Sequence, residues 1–460
     1  MIRRTRHTCR RGRAGAWVRA ALCVLAFAMA VPASAQAQVA DPRYVAEMDQ
    51  AFEQLIRDPA NLELTFAYAG IAARAGNYEG AIAALERMLL IDGDLPRVRL
   101  ELGVLYYRLE SFDLARSYFD SAVAGDNVPP EVRTRVAQFN AEIEKRQSRH
   151  KVSGSVLFGA RFQTNATSGY GNTLVPIPAI AGTDPVDIGS GRRNDWNLFT
   201  AASANHSYDL GGQAGDTIET GMTFYGTRQN HIHSLNTALV EVNSGPRFSL
   251  KDYGIEDASL RPYVLGSLVT LKDNRYLHSF GGGLQFQKPL ASDLLWTLGY
   301  EARTKNYRTD STRRTVRLQN GQEHGVTTGL VYLFTALDSF SFGAGVSSDL
   351  ARSGQKRVAR HNVSVGYTRK QLPPAMLGSE PWTLGLTMGR YISTYRSPDD
   401  TIDSNTRRGD FEWRYSTLLG IPLTDTLSFV AVAQRQTVSS SYQINKYRND
   451  SLTLGVSWLF

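Results

Sequence analysis

Residues 452–460 alternate without a break: Leu452, Leu454, Val456, Trp458 and Phe460 are large and apolar, with Thr453, Gly455, Ser457 and Leu459 between them. Period two places successive side chains on opposite faces of a strand, so this segment has one greasy face and one largely small, polar face. The pattern recurs in Trp382, Leu384, Leu386 and Met388, in Val326, Thr328, Leu330, Tyr332 and Phe334, and in Leu294, Trp296, Leu298 and Tyr300. The interleaved residues that can be assigned to the other face (Thr383, Gly385, Thr387, Gly455 and Ser457) are small and uncharged. Beyond the N-terminal segment, no stretch reaches the roughly 20 apolar residues of a transmembrane helix. A membrane span here must be a closed barrel of strands, since only closure satisfies the backbone of strands in lipid.

Fourteen candidate strands follow His150, beginning near Val152, Asp195, Thr217, Asn236, Arg261, Leu277, Leu294, Glu323, Ser339, Arg357, Trp382, Arg408, Thr426 and Tyr447. Their spacing of about 22 residues suits a tilted strand plus a connection. An even number returns both barrel ends to one side of the membrane. Short turns at 209–212, 288–290 and 421–425 are expected on the periplasmic side, and the longest connection, 164–193, outside. The segment 371–381 is longer than a periplasmic turn should be.

Upstream, residues 39–149 are rich in alanine, leucine and charge with helical spacing. Gly76-Asn77-Tyr78-Glu79 with Ala81 and Leu85 recurs as Glu110-Ser111-Phe112-Asp113 with Ala115 and Phe119, each equivalent 34 residues on. That period resembles the tetratricopeptide repeat, a stacked helix pair. Ala81 and Ala115 allow close helix approach, Tyr78 and Phe112 fill the gap beside the turn, and Leu85 and Phe119 fill the core between repeats. Leu55 with Asp58-Pro59 reads as the end of a preceding helix, and Pro129-Pro130 starts a closing one over 131–149. First helices line the concave face of such a stack. On this frame the groove holds Glu63, Phe66, Arg74, Arg97, Tyr107, Arg108, Thr134 and Gln138, a surface for an extended peptide or partner protein.

The net charge of +8 comes from 51 basic and 43 acidic residues, but seven arginines and no acid fall in residues 1–37. Without them the balance is close to neutral, and a nucleic-acid partner has no support. The arginine-rich start, the apolar run 20–31 and the small residues Ala33-Ser34-Ala35 and Ala35-Gln36-Ala37 read as a secretory signal. Both cysteines, Cys9 and Cys23, lie within it, so the mature chain has no disulfide, thiolate metal site or cysteine nucleophile. The expected division is signal peptide 1–37, periplasmic helical-repeat domain 38–149 and outer-membrane barrel 150–460. The fold class is α + β in two domains, an α-helical solenoid followed by an antiparallel transmembrane β-barrel.

Few residues suggest chemistry. His231 and His233 could share a metal, but no third ligand is apparent. Asp399, Asp400 and Asp403 lack the glycine and glutamate of a calcium loop. His278 and Ser279 are adjacent on a strand, face opposite ways and cannot pair. Neither a cofactor, a metal nor an enzymatic activity is expected. The basic pairs Arg313-Arg314, Lys356-Arg357 and Arg407-Arg408 sit where lipopolysaccharide phosphates would lie.

A tetratricopeptide module joined to a fourteen-stranded barrel, closing on Leu-Thr-Leu-Gly-Val-Ser-Trp-Leu-Phe, resembles the Slam family, the surface lipoprotein assembly modulators. The resemblance implies delivery of a client protein, lipidated or soluble, to the cell surface, with no catalytic residues. A terminal aromatic strand (Leu452 to Phe460) resembles the signal read by the barrel assembly machinery. A monomer is expected. Two other readings remain: a polysaccharide exporter, which should show an aromatic and acidic track in its lumen, and a passive porin, which should show an open constriction with opposed charges.

Overall fold

The computed structural model describes residues 42–125, 128–171, 174–176, 185–187, 191–212, 214–309, 314–373 and 380–460. The expected signal peptide, Arg313 and most of the 371–381 turn lie outside them. The chain divides into a helical unit ending at Ser148 and a barrel beginning at Arg149.

The helical unit contains α1 (Pro42–Arg57), α2 (Leu62–Arg74), α3 (Tyr78–Ile91), α4 (Pro96–Arg108), α5 (Phe112–Val123) and α6 (Pro130–Gln147). Local chemistry sets the starts. The Asn61 side chain accepts from the backbone N–H of Glu63 and Leu64 at 3.1 and 3.2 Å, and that of Asn77 accepts from Gly80 at 2.9 Å. Pro96 and Pro130 occupy first turns, where a missing N–H costs nothing. Ala81, Ala115, Leu102 and Phe119 are wholly buried. Gly103 makes the second pair possible, because a Cβ there would meet the Phe119 ring at 2.5 Å. The repeat frame therefore holds, and the last helix ends at Gln147, two residues before the expected Arg149.

The barrel strands are β1 (His150–Gln163), β2 (Asp195–Asp209), β3 (Thr217–Gln229), β4 (Thr237–Ser249) and β5 (Ser259–Leu271). Next come β6 (Asn274–Ala291), β7 (Leu294–Tyr307), β8 (Gly321–Leu333), β9 (Asp338–Ala351) and β10 (Val358–Gln371). The last four are β11 (Trp382–Tyr395), β12 (Gly409–Pro422), β13 (Leu427–Ser440) and β14 (Tyr447–Leu459). Each pairs antiparallel with its sequence neighbours, and β14 returns to β1 to close the sheet. All fourteen begin within three residues of their expected starts.

Register sorts the faces. Phe158 opposes Val456 and Ala160 opposes Leu454 outside, while Arg161 opposes Thr453 inside. The outer surface is an apolar belt that includes Phe158, Val264, Phe280 (68% exposed), Val363 and Leu386. Water would not tolerate such a continuous surface, whereas lipid requires it, so this is a transmembrane barrel. One barrel end carries His150 and Leu459 (the turn end), the other the connections 164–194, 230–236, 308–320, 352–357, 396–408 and 441–446 (the loop end). Within 164–194 a two-stranded ribbon pairs Leu174–Pro176 with Pro185–Asp187. Loop length is not uniform: β5 and β6 join at the loop end through Lys272 and Asp273 alone, both left-handed with φ of 53° and 61°. At the turn end, 250–258 is longer than expected and contains a 3-10 turn at Lys251–Tyr253.

Candidate functional site

In the helical unit, seven of the eight expected groove residues, Glu63, Phe66, Arg74, Arg97, Arg108, Thr134 and Gln138, are exposed on α2, α4 and α6. Tyr107 is different. Its ring is half-buried edge-on against Phe112 and Phe139 at 5.8 and 5.3 Å, with the Arg146 guanidinium 4.9 Å above it, so it belongs to the packing between helices. The middle of α4 is likewise committed, with Leu100 and Val104 buried in a cluster with Val132 and Val136 of α6. Arg135 reaches Glu101 at 3.6 Å. What α4 offers is a pair of arginines at its two ends, and Arg74 repeats Arg108 one period earlier. Sequence reasoning missed the exposed Phe52 and Ile56 of α1, the former 5.6 Å from Tyr68.

A polar staple joins the repeats. Tyr106 and Tyr118 stack at 5.3 Å and 7°, and both hydroxyls donate to Glu86 Oε1, at 3.0 and 3.3 Å. Burial, reinforced by the Glu86 hydrogen bond and charge, pushes the Tyr106 hydroxyl up to about 12. Burial and Glu86 raise Tyr118 as well.

The lumen corrects the impression left by its small residues. The wall from β3 to β7 is densely charged. Arg247 donates to both Glu219 oxygens at 2.6 and 3.0 Å, and Arg261 lies 3.2 Å from the same carboxylate. Arg303 spans to Glu241 at 2.9 Å and also holds Glu301, which accepts from the Tyr263 hydroxyl at 3.3 Å. Nearer the loop end, Lys305 (3% exposed) pairs with Asp349 and lies 3.4 Å from Glu323, with Arg360 3.7 Å from Glu323. The signal was present: extending the alternation of β7 past Tyr300 puts Glu301, Arg303 and Lys305 inside. These acids and bases pair along the wall, which is not the opposed arrangement expected of a porin constriction.

Above them sits an apolar layer. Phe199, Tyr225, Leu239, Val269 and Tyr307 point inward and are buried together with Val316 from the 308–320 loop. Phe199 is 2% exposed, and the Arg161 guanidinium lies 4.8 Å over its ring. Gln436, Val438, Ser440 and Asn449 are buried at the same level on β13 and β14. The loop end of the lumen is packed, whereas Thr368, Thr387 and Asn205 farther down are exposed.

The loop candidates have structural roles. Asp195, buried beneath 230–236, accepts from the backbone of Trp196, His231 and Ile232, and the His231 ring contacts it at 3.2 Å. Asp399 binds Lys356 at 3.2 Å and Thr401, and its N–H donates to the buried Tyr442 hydroxyl at 2.9 Å. It braces three loops. Among the described residues no group of three or more His, Asp or Glu is placed to hold a metal. Of the basic pairs, Lys356 is tied to Asp399, Arg357 donates to the Ala351 carbonyl at 2.8 Å, and Arg408 is bound to Asp410 and covers Tyr395. His278 faces out and Ser279 faces in, bonded to Ser267 at 2.7 Å.

A tetratricopeptide-repeat family model matches residues 72–138. The match covers α3 to α5 and half of α6, so the tetratricopeptide frame read from the 34-residue period is the frame of the structure. No curated protein matches the chain. Among solved structures, the type III secretion translocator chaperone SycD of Yersinia enterocolitica is similar over 23% of this chain and 74% of its own, with 16% identity and a TM-score of 0.21. An anion-selective porin from Comamonas acidovorans is similar over 68% of this chain and 99% of its own, with 9% identity and a TM-score of 0.33. A bacterial polysaccharide outer membrane secretin gives 66% and 98%, 9% and 0.33.

Proposed function

We propose that this protein is an outer-membrane translocator that delivers a client protein, a surface lipoprotein or a soluble protein, to the cell surface. The tetratricopeptide unit, on the periplasmic side, holds the client in extended form on the exposed face bearing Phe66, Arg74, Arg97 and Arg108. The barrel then passes it outward. Residues 1–37 serve as the export signal, and the barrel assembly machinery engages β14 through Leu452, Leu454, Val456, Trp458 and Phe460. This reading extends the resemblance to the surface lipoprotein assembly modulators. Closed antiparallel barrels with an apolar outer belt are the construction of bacterial outer membranes.

One observation carries the reading: a single chain joins a peptide-binding type of repeat to a barrel whose loop end is packed by Phe199, Tyr225, Leu239 and Val316. A passive porin needs an open mouth and no adaptor, whereas a gated conduit for captured clients needs both a packed mouth and an adaptor. Polysaccharide export has one observation in its favour, the Tyr263 ring beside Glu301 within the lumen.

The test is surface display. A candidate surface protein is co-expressed with this chain, with and without residues 42–147, and exposed client is scored by protease shaving of intact cells. Display that depends on the chain, and falls when the repeats are deleted, is the expected result. With the barrel assembled, an absence of display across a panel of clients, coupled with glycan appearing at the surface, would transfer the function to sugar export.

A further inference from the structure

The lumen has two unlike walls. On β3, β4, β5 and β7 inward positions carry long side chains that pair with one another, Glu241 and Glu301 with Arg303, and Arg261 and Arg247 with Glu219, while Gly281 and Gly283 of β6 leave room between them. The long side chains project into the lumen and leave little charge unanswered. Tyr263 lies across β6, over Gly283, where a Cβ would meet its ring at 2.5 Å.

On β8 to β11 the inward positions at 325–331, 341–347, 362–368 and 383–389 hold only glycine, serine, threonine, one asparagine and one valine. Sixteen consecutive inward sites thus carry no ionisable group and nothing larger than valine or asparagine. Thr368 and Thr387 are exposed there, while Arg261 and Leu265 of the charged wall are buried.

We infer that the through-path runs along β8 to β11 from the turn end up to the Glu323–Asp349–Arg360 cluster, and that this stretch of wall is a slide for an unfolded polypeptide segment. Free space lies where side chains are short. Conduction needs contacts strong enough to admit a chain and weak enough to release it at each step. Hydroxyls such as Ser364 and Thr387 supply exchangeable hydrogen bonds to a peptide backbone, and the glycines between them add no grip. A wall without charge also treats acidic and basic stretches alike. The position of the path follows from the wall itself; the polypeptide occupant rests on the translocator reading.

The chain has no cysteine beyond Cys23, so single probes are clean. Ser364→Cys and Thr387→Cys test the slide, and Leu265→Cys and Gln285→Cys the charged wall. Purified full-length variants in lipid nanodiscs are treated with a charged, membrane-impermeant thiol reagent. The slide positions should react about tenfold faster or more, since reaction requires an accessible thiolate. Equal rates on the two walls overturn the path, whatever the cargo. In cells, a client stalled by a folded C-terminal fusion and carrying one cysteine should form a disulfide with Thr387→Cys and not with Gln285→Cys. Cross-links to both walls, or only to Gln285→Cys, overturn the slide. Slide positions that label fast while no tested client is ever displayed overturn the polypeptide occupant and leave the path standing.

Discussion

The helical unit buries almost only apolar residues, whereas the barrel buries ion pairs beside its apolar layer. In the first, Phe119 and Leu102 have no exposed surface while Glu63, Arg74, Arg97 and Arg108 face outward. In the second, Phe280 and Val363 face outward and Lys305 and Asp349 are hidden. The physical rule is the same in both: each surface matches its solvent, water around the helices and hydrocarbon around the strands. A buried cation paired with two carboxylates therefore sits in the barrel beside buried rings, a combination that the repeat core lacks.

That comparison can be broken most forcefully at its two centres. Phe119 stacks on Phe139 at 5.1 Å within the inter-repeat core, so Phe119→Ala should cost about 3–5 kcal/mol. The helical unit of the full-length protein would become protease-sensitive while the barrel kept its heat-modifiable mobility. Lys305→Met leaves Glu323 and Asp349 with only the more distant Arg360 between them and should cost the barrel about 3–5 kcal/mol, read from urea unfolding in lipid. If methionine proves neutral, the loop-end charges are solvated and the barrel interior is wetter than its burial implies.

A sharper test uses two neighbours on β10. Val363 faces lipid near mid-strand and Ser364 faces the lumen. Val363→Arg should destabilise the barrel by about 2–4 kcal/mol, whereas Ser364→Arg should leave the unfolding midpoint near wild type. Equal losses would mean the lumen there is not aqueous.

The smallest effect lies in the polar staple. An unfolded chain releases its tyrosine protons near 10.0, while folded Tyr106 keeps its proton to about 12. Between those values the folded state binds more protons, so the helical unit loses stability as pH rises through that window. The advantage of wild type over Tyr106→Phe in helical melting temperature should shrink from pH 10 to 12. A constant difference would place the stabilisation in stacking and not in the bond to Glu86.

Much of this could be read from residues alone, for a reason specific to each element. Strands such as Trp382–Tyr395 have lipid on one face and water on the other, so period two survives unbroken in the sequence. The repeat was visible because Ala115 and Phe119 must meet the same neighbours as Ala81 and Leu85. The charged wall escaped notice because Arg303 and Glu241 lie 62 positions apart and acquire meaning only when the register brings them together. The bracing role of Asp399 is invisible in the sequence for a similar reason, as its partners Lys356 and Tyr442 come from other loops. Tyr107 lay on the concave frame by spacing, and only the approach of Phe139 and Arg146 shows that it is spent on packing.

The pairing of β1 with β14 sets a constraint on time. Arg161 and Thr453, bonded across that junction, are 292 residues apart in the chain. Every other pairing in the barrel can form from a hairpin as synthesis and export proceed, but this one has to wait for nearly the whole strand-forming sequence. Until then two unsatisfied edges persist, each a template for unwanted association. The ring exists only once it is complete, so its assembly depends less on the strength of any one contact than on how long an unfinished sheet can be kept from finding other partners.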